Sequence, residues 1–204
     1  FFYKNKKKLP KSLFNEVKKE INLIEKISGK KFGSLSNPLL VSVRSGARVS
    51  MPGMMDTILN LGLNDFTVDA LAKKTSNGRF AKDSYRRFIQ MYSNVVFGIE
   101  NYKFEEIIEN YKLTKGVIQD TELDEADWDG LIVNFKDLIS NKTKKNFPQD
   151  VNNQLWGAIS AVFLSWESKR AKIYRKLNQI PDHWGTAVNI QTMVFGNMGK
   201  DCAT

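Results

Sequence analysis

One cysteine and one histidine are all that the 204 residues contain, and no long apolar run interrupts them. The lone thiol, Cys202, excludes an internal disulfide and suits a reducing compartment, so a cytoplasmic location is expected. A single histidine, His183, leaves no paired Cys or His spacing for a metal site. It sits in "IPDHWG", a turn-like context where histidine is ordinarily a surface residue. No stretch approaches the ~20 apolar residues that a membrane-spanning helix needs, so no membrane partner is expected. The start, "FFYKNKKKLP", lacks an apolar segment after its lysines and does not read as a secretory signal. A Walker phosphate loop and a Gly-x-Ser-x-Gly elbow are also missing.

What remains is the composition of an ordinary globular protein, 42% hydrophobic and 26% charged, long enough for one large domain or two small ones. The net charge of +9 invites a nucleic-acid reading. Its distribution opposes one: residues 1–31 hold ten lysines against three glutamates, and the rest is nearly balanced. Lysines on one face of a surface helix are solvated, so no nucleic-acid partner is expected.

Leu13, Phe14, Val17, Ile21, Ile24 and Ile27 recur at helical spacing and stop at Gly29, which predicts an amphipathic helix. "NPLLVSVR" reads as a buried strand after an Asn-Pro turn. From Asn64 the pattern is helical through "FTVDALAKKT", "RFAKDSYRRFIQMYSNVV", "KFEEIIENYKL" and "EADWDGLIVNFKDLI", the last preceded by cap chemistry at 121–125. "NKTKKNFPQD" reads as a polar linker. A long helix is predicted from about Val151 to Asn178, and "GTAVNIQTMVF" as a strand ended by "GNMG". Trp156, Trp166 and the Phe88/Met91 pair fall at helical spacing, as core residues do. The class is α+β, with the helices of 64–148 inserted between sheet elements.

The candidate chemistry lies in "SVRSGARVSMPGMMDT", residues 42–57. Arginine offers a planar fork of donors suited to phosphate oxygens, and Arg44 at a strand end would project into the crevice where sheets hold ligands. The alternative for one arginine is a salt bridge to a neighbouring carboxylate. Gly46 and Gly53 permit close backbone approach, and Met51, Met54 and Met55 could form a deformable apolar lid with little of its own to pack against. Asp56 and Thr57 could open a helix or meet a metal.

The stretch "PLLVSVRSGARVSMPGMMDTILNLGLND" (38–65) resembles the signature of the nucleotide-binding domain of the pyruvate, phosphate dikinases. Phosphoenolpyruvate synthases and glucan dikinases share the Val-Arg-Ser start but not the Met-Pro-Gly-Met-Met-Asp-Thr continuation. The resemblance runs on through 79–96, 165–180 and 185–199, covering residues 12–204. It implies an ATP-grasp-like domain with an inserted helical subdomain, divided as 1–63 (helix, strand and phosphate loop of a first lobe), 64–148 (the insertion), 149–184 (a returning helix) and 185–204 (the start of a second lobe). It also implies ATP and Mg2+ as ligands, and conversion of ATP, pyruvate and phosphate to AMP, phosphoenolpyruvate and pyrophosphate through a phosphohistidine.

By the same resemblance Arg44 contacts the triphosphate, with Arg48 as a second catalytic arginine. The Ser50–Thr57 segment, with Gly53, Met54, Asp56 and Thr57, covers the phosphates. Gln191 to Val194 edges the adenine, which the backbone of Met193 and Val194 reads. No residue is assigned to a metal. The family's Gly-Gly-Lys-Gly segment, its acidic stretch before Leu-Gln-Thr-Arg and its Thr-Ser-His motif have no counterpart here, so His183 does not inherit the phosphohistidine. The chain therefore reads as an internal fragment, inactive alone, whose partners are the phosphohistidine and pyruvate-binding domains of a longer, homodimeric polypeptide. Two alternatives stand beside this reading: a non-catalytic nucleotide-binding remnant, and a helical interaction module with a basic N-terminal helix.

Overall fold

The computed structural model describes residues 2, 3, 5 and 8–196. Cys202 and the Asn197–Gly199 part of "GNMG" lie outside the described residues. Helix α1 (Lys11–Ser28) forms on the expected spacing and ends at Gly29, whose φ of 65° supplies the left-handed cap. Its Phe14 stacks on Trp156 with ring centroids 3.8 Å apart. Strands β1 (Lys31–Phe32) and β2 (Pro38–Leu39) pair in parallel.

The main sheet is antiparallel, in the order β4-β3-β5. Its centre is β3 (Val41–Gly46), flanked by β4 (Thr57–Leu61) and β5 (Ala187–Thr192). Val41 and Val43, two apart and so on one face of the strand, are fully buried. Thr57 thus opens a strand and not a helix, and residues 57–61 are a strand that the sequence pattern did not disclose. The step from β4 into the helices needs Gly62: its φ is 110°, and a Cβ there would stand 2.9 Å from the Leu39 carbonyl oxygen. The Gly62 N–H donates to the Gln154 side chain, whose amide donates onward to the Leu63 and Pro148 carbonyls, so one buried glutamine fixes this corner.

Residues 64–148 hold α2 (Thr67–Thr75), α3 (Gly78–Phe97), α4 (Asn101–Lys115) and α5 (Glu125–Thr143), with a 3-10 turn at Asp120–Glu122. Asp124 and Asp127 cap α5 reciprocally, each carboxylate accepting from the other's backbone N–H. The segment after α5 is less polar than its composition suggests. Phe147 is buried and meets Tyr85, Phe88 and Tyr92 edge-on. One apolar core runs from Val41, Val43 and Ile58 of the sheet to Trp128, Leu131 and Phe135 of α5.

The long helix expected over 151–178 is two helices, α6 (Val151–Ser165) and α7 (Lys169–Leu177). The break is made by Ser168, whose hydroxyl accepts the Ala171 N–H and caps α7; such a cap is worth about 1 kcal/mol. At this elbow Trp166 is buried, with its indole N–H on the Asp182 carbonyl. Arg175, only 1% exposed, lays its guanidinium over the Trp166 ring and bonds the Trp166 carbonyl and the Asp182 carboxylate.

Candidate functional site at the end of the central strand

Arg44 stands at the end of β3 where that strand leaves the core, and it is exposed. Antiparallel register sets Thr57 of β4 and Asn189 of β5 opposite it, and Gln191 opposite Ser42. Directly opposed residues share a face, so Arg44, Thr57, Asn189 and Gln191 form one polar patch across three strands. Within it the Arg44 guanidinium donates to Gln191 Oε1 at 3.2 Å. The structure thus joins three of the residues singled out in the sequence. Asn189 is one that the sequence reading missed, although the alternation of "AVNIQT" puts it on the Gln191 face. Its side chain lies against Gly46, where an added Cβ would come within 2.7 Å of Nδ2.

Arg48 does not join this patch through any contact seen here; its guanidinium lies over the Trp184 ring, 4.8 Å from the centroid. Trp184 belongs to the 3-10 turn Asp182–Trp184, which also carries His183. Met193 and Val194 follow β5. The Met193 N–H donates to the Leu40 carbonyl at 2.9 Å, and the Val194 side chain is exposed. A groove of about 470 Å³ runs between α1 and β5, lined by Leu13, Glu16, Val17, Ile21, Val188 and Gln191 among others.

The methionine loop is seated, contrary to the expectation that it has little to pack against. Met51 is buried in a small cluster with Trp166 and Ala171, against which Met54 and Met55 also pack. Pro52 and Gly53 take the corners of a tight turn closed by the Met54 N–H on the Met51 carbonyl at 3.0 Å. Gly53 has φ 71°, the value that a type II turn demands at its second corner. No heavy atom lies within 4 Å of where its Cβ would be, so the conformation, not a close neighbour, calls for glycine.

Asp56 ends the loop with its N–H on the Ser165 hydroxyl, 3.2 Å away, and its carboxylate paired with Arg170. Burial pushes this carboxyl above its ordinary value, and the Arg170 guanidinium opposes the rise. The carboxylate therefore faces a cation of its own chain. Among the described residues no group of three or more His, Cys, Asp or Glu side chains could hold a metal ion. No described helix is long and apolar enough to cross a membrane.

Arg44 at the end of the central strand offers a planar fork of donors, and the turn between that strand and β4 carries Gly53 with open space at its tip. The comparisons identify the family. The chain belongs to the pyruvate phosphate dikinase, AMP/ATP-binding domain family, which matches residues 5–203. It is 54% identical over 196 residues to the pyruvate, phosphate dikinase of Rhizobium meliloti (strain 1021), covering 96% of this chain and 22% of that protein. The pyruvate, phosphate dikinase of Clostridium symbiosum is 52% identical over 204 residues, 100% of this chain and 23% of the relative. A chloroplastic pyruvate, phosphate dikinase of Flaveria pringlei is 50% identical over 203 residues, 100% of this chain and 21% of the relative. The chain spans about a fifth of the length of these curated relatives.

Proposed function

We propose that this chain is the nucleotide-handling part of a pyruvate, phosphate dikinase. The longer polypeptide converts ATP, pyruvate and phosphate to AMP, phosphoenolpyruvate and pyrophosphate by way of a phosphohistidine on another of its domains. The domain is of ATP-grasp type: 1–63 and 149–184 contribute to a first lobe and 64–148 is its helical insertion, while within 185–204, expected as the start of a second lobe, β5 completes the first-lobe sheet beside β3. The observation that carries the reading is the exposed Arg44 fork, set on one face with Thr57 and Gln191 at the end of the central strand, in a chain of this family.

Phosphoryl transfer asks a protein chiefly to position the triphosphate and to stabilise its charge as the phosphoryl group moves. Arg44 does this with its fork, which Gln191 orients from the side by accepting one of its N–H groups. Thr57 presents its hydroxyl on the same face, and the open tip at Gly53, with Met54 behind it, lets phosphate oxygens approach the backbone. Arg48 can join only by leaving the Trp184 ring, an exchange that costs about 0.5–1 kcal/mol at an exposed site. The adenine lies along the outer edge of the sheet near Gln191. Because the Met193 N–H already serves Leu40, base contacts fall to the Met193 carbonyl and the Val194 backbone.

Mg2+ accompanies the nucleotide in this reading. Among the described residues no group of three or more His, Cys, Asp or Glu side chains could hold it, and Asp56 is held by Arg170. The phosphohistidine and pyruvate-binding domains and a homodimeric parent, in the cytoplasm, belong to the same proposal. Isothermal titration of this chain with Mg·ATP tests it. Saturable binding that Arg44→Ala weakens is expected, and absence of any nucleotide binding by the wild-type chain and by the full-length protein overturns it.

A further inference from the structure

The Met51–Asp56 loop is fastened to a part of the molecule more than a hundred residues away in sequence. Arg170, the second residue of α7, reaches across and makes two contacts with the loop: Nε donates to the Met54 carbonyl at 3.1 Å, and Nη2 pairs with the Asp56 carboxylate. The planar fork thus spans the loop's last turn, holding a backbone oxygen with one edge and a side-chain oxygen with the other. Ser165, at the end of α6, supplies a third tie by accepting the Asp56 N–H while its own hydroxyl donates to the Val162 carbonyl at 2.8 Å. The platform beneath is rigid: Trp166 and Ala171 are buried under Met51, and Arg175 locks the elbow from behind.

We propose that Arg170 is a positioning residue that sets the Met51–Asp56 loop against the α6–α7 elbow and so fixes where its Gly53 tip stands. Its partners explain why an arginine is used. Lysine has one donor centre, which cannot serve the Met54 carbonyl and the Asp56 carboxylate in one planar geometry. Arg170 itself is half-exposed, while the Asp56 side chain that it pairs with is mostly buried. The consequence for nucleotide rests on the reading of this loop as the phosphate cover. Loosening the tie misplaces the groups around the phosphates and leaves the adenine edge, on β5, as it was.

Amide hydrogen exchange on this chain tests the positioning itself. In Arg170→Met the N–H groups of Met54 and Asp56 should exchange about tenfold faster or more, while those of Val43 and Ile58 in the sheet keep wild-type rates. Unchanged exchange at Met54 and Asp56 overturns the proposal. Should the sheet amides also quicken, Arg170→Lys decides, because it keeps the stem and the charge without the fork: faster exchange confined to Met54 and Asp56 supports the proposal, and wild-type rates there refute it.

A second arm uses the full-length protein and titrates Mg·ATP and adenosine separately. Arg170→Met should weaken ATP by about tenfold and adenosine by less than about twofold. Equal weakening of both would mean general damage and would overturn the positioning role. If the wild-type protein binds no ATP, the nucleotide reading falls, while the exchange measurement still decides whether Arg170 holds the loop.

Discussion

Replacing Arg44 with alanine should separate the chemistry of the strand end from the stability of the fold. Arg44 is exposed, and among the described residues its one side-chain hydrogen-bond partner is the neutral Gln191 at 3.2 Å, so truncation leaves no described buried group unpaired. A surface contact of this kind contributes about 0.5 kcal/mol or less, and the strand below it is anchored by Val41 and Val43, which the substitution does not touch. The melting temperature of Arg44→Ala should therefore stay within about 2 °C of wild type. The effect on phosphoryl transfer should be far larger. Removal of one well-placed donor to developing charge costs about 10²-fold or more in rate, equivalent to roughly 2.7 kcal/mol. The assay is ATP-dependent phosphorylation of the full-length enzyme, followed in a single turnover beside a thermal melt of the same sample. Wild-type phosphorylation rates in a folded variant would refute the assignment of Arg44. A collapse of stability matching the loss of rate would instead make it a structural residue.

Three further outcomes are expected. Gly62→Ala forces a Cβ to within 2.9 Å of the Leu39 carbonyl at a φ of 110°, so it should cost about 2–4 kcal/mol and lower the melting temperature by roughly 10 °C in calorimetry; a drop below about 2 °C contradicts the close approach. Gly53→Val meets no neighbour and so suffers only left-handed strain, about 1–2 kcal/mol, but it should weaken nucleotide binding by more than that; Gly53→Asn, which tolerates this φ, should be nearly neutral in melts and titrations, and equal effects of the two would deny the turn its role. Asp56 has a folded-state pKa raised above 3.8 by burial, with Arg170 opposing the rise, so the native protein holds this proton more firmly than the unfolded chain does. Its contribution is complete below 3.8 and is lost as pH rises through the raised value. Asp56→Asn should therefore gain stability relative to wild type between about pH 3 and pH 6, and a difference that is flat or of opposite slope across melts in that range contradicts the burial of the carboxyl.

Where the sequence carried a long period with clear stops, it foretold the structure. Helix α1 ends at Gly29, and α5 begins at an Asp124 cap, because both signals are local and act within one turn. Strand β4 escaped notice for the opposite reason. Its five residues follow an apolar loop without a break, contain Asn60 at a left-handed φ of 59°, and are strand only because β3 lies beside them. The elbow between α6 and α7 was hidden because helical spacing continues through Ala171 and Tyr174, and a serine cap is a weak mark inside a long pattern. At the candidate site, Arg44 and Gln191 could be named from resemblance, and the structure brings their side chains together. Arg170 could not be, since its contact with Asp56 spans 114 positions and a lysine- and arginine-rich helix gives no hint of which cation has a task.

The seated loop also changes what closure over a phosphate can mean. A lid free along its whole length could swing as a unit, and the run of methionines suggested such freedom. Here both ends are fixed: Met51 is buried against Trp166 and Ala171, a contact worth about 1.5–3 kcal/mol for a fully buried side chain, and Asp56 is tied to Ser165 and Arg170. Four residues lie between these anchors, and of them Pro52 and Gly53 are the exposed pair. Proline restricts its own φ, so most of the remaining soft dihedrals are those of Gly53 and of the two methionines that follow. Movement of the tip alone can shift its backbone by a few ångströms, on the order of one residue's rise, which suits capture of a small group such as a phosphate and not enclosure of a whole nucleotide. A larger closure would have to move the α6–α7 elbow itself. Trp166 and Arg175 oppose that, because separating them would strand a nearly inaccessible guanidinium without its ring and carbonyl partners. In the proposed reading of this loop, closure over a phosphate is therefore a local turn at Gly53 on the α6–α7 elbow.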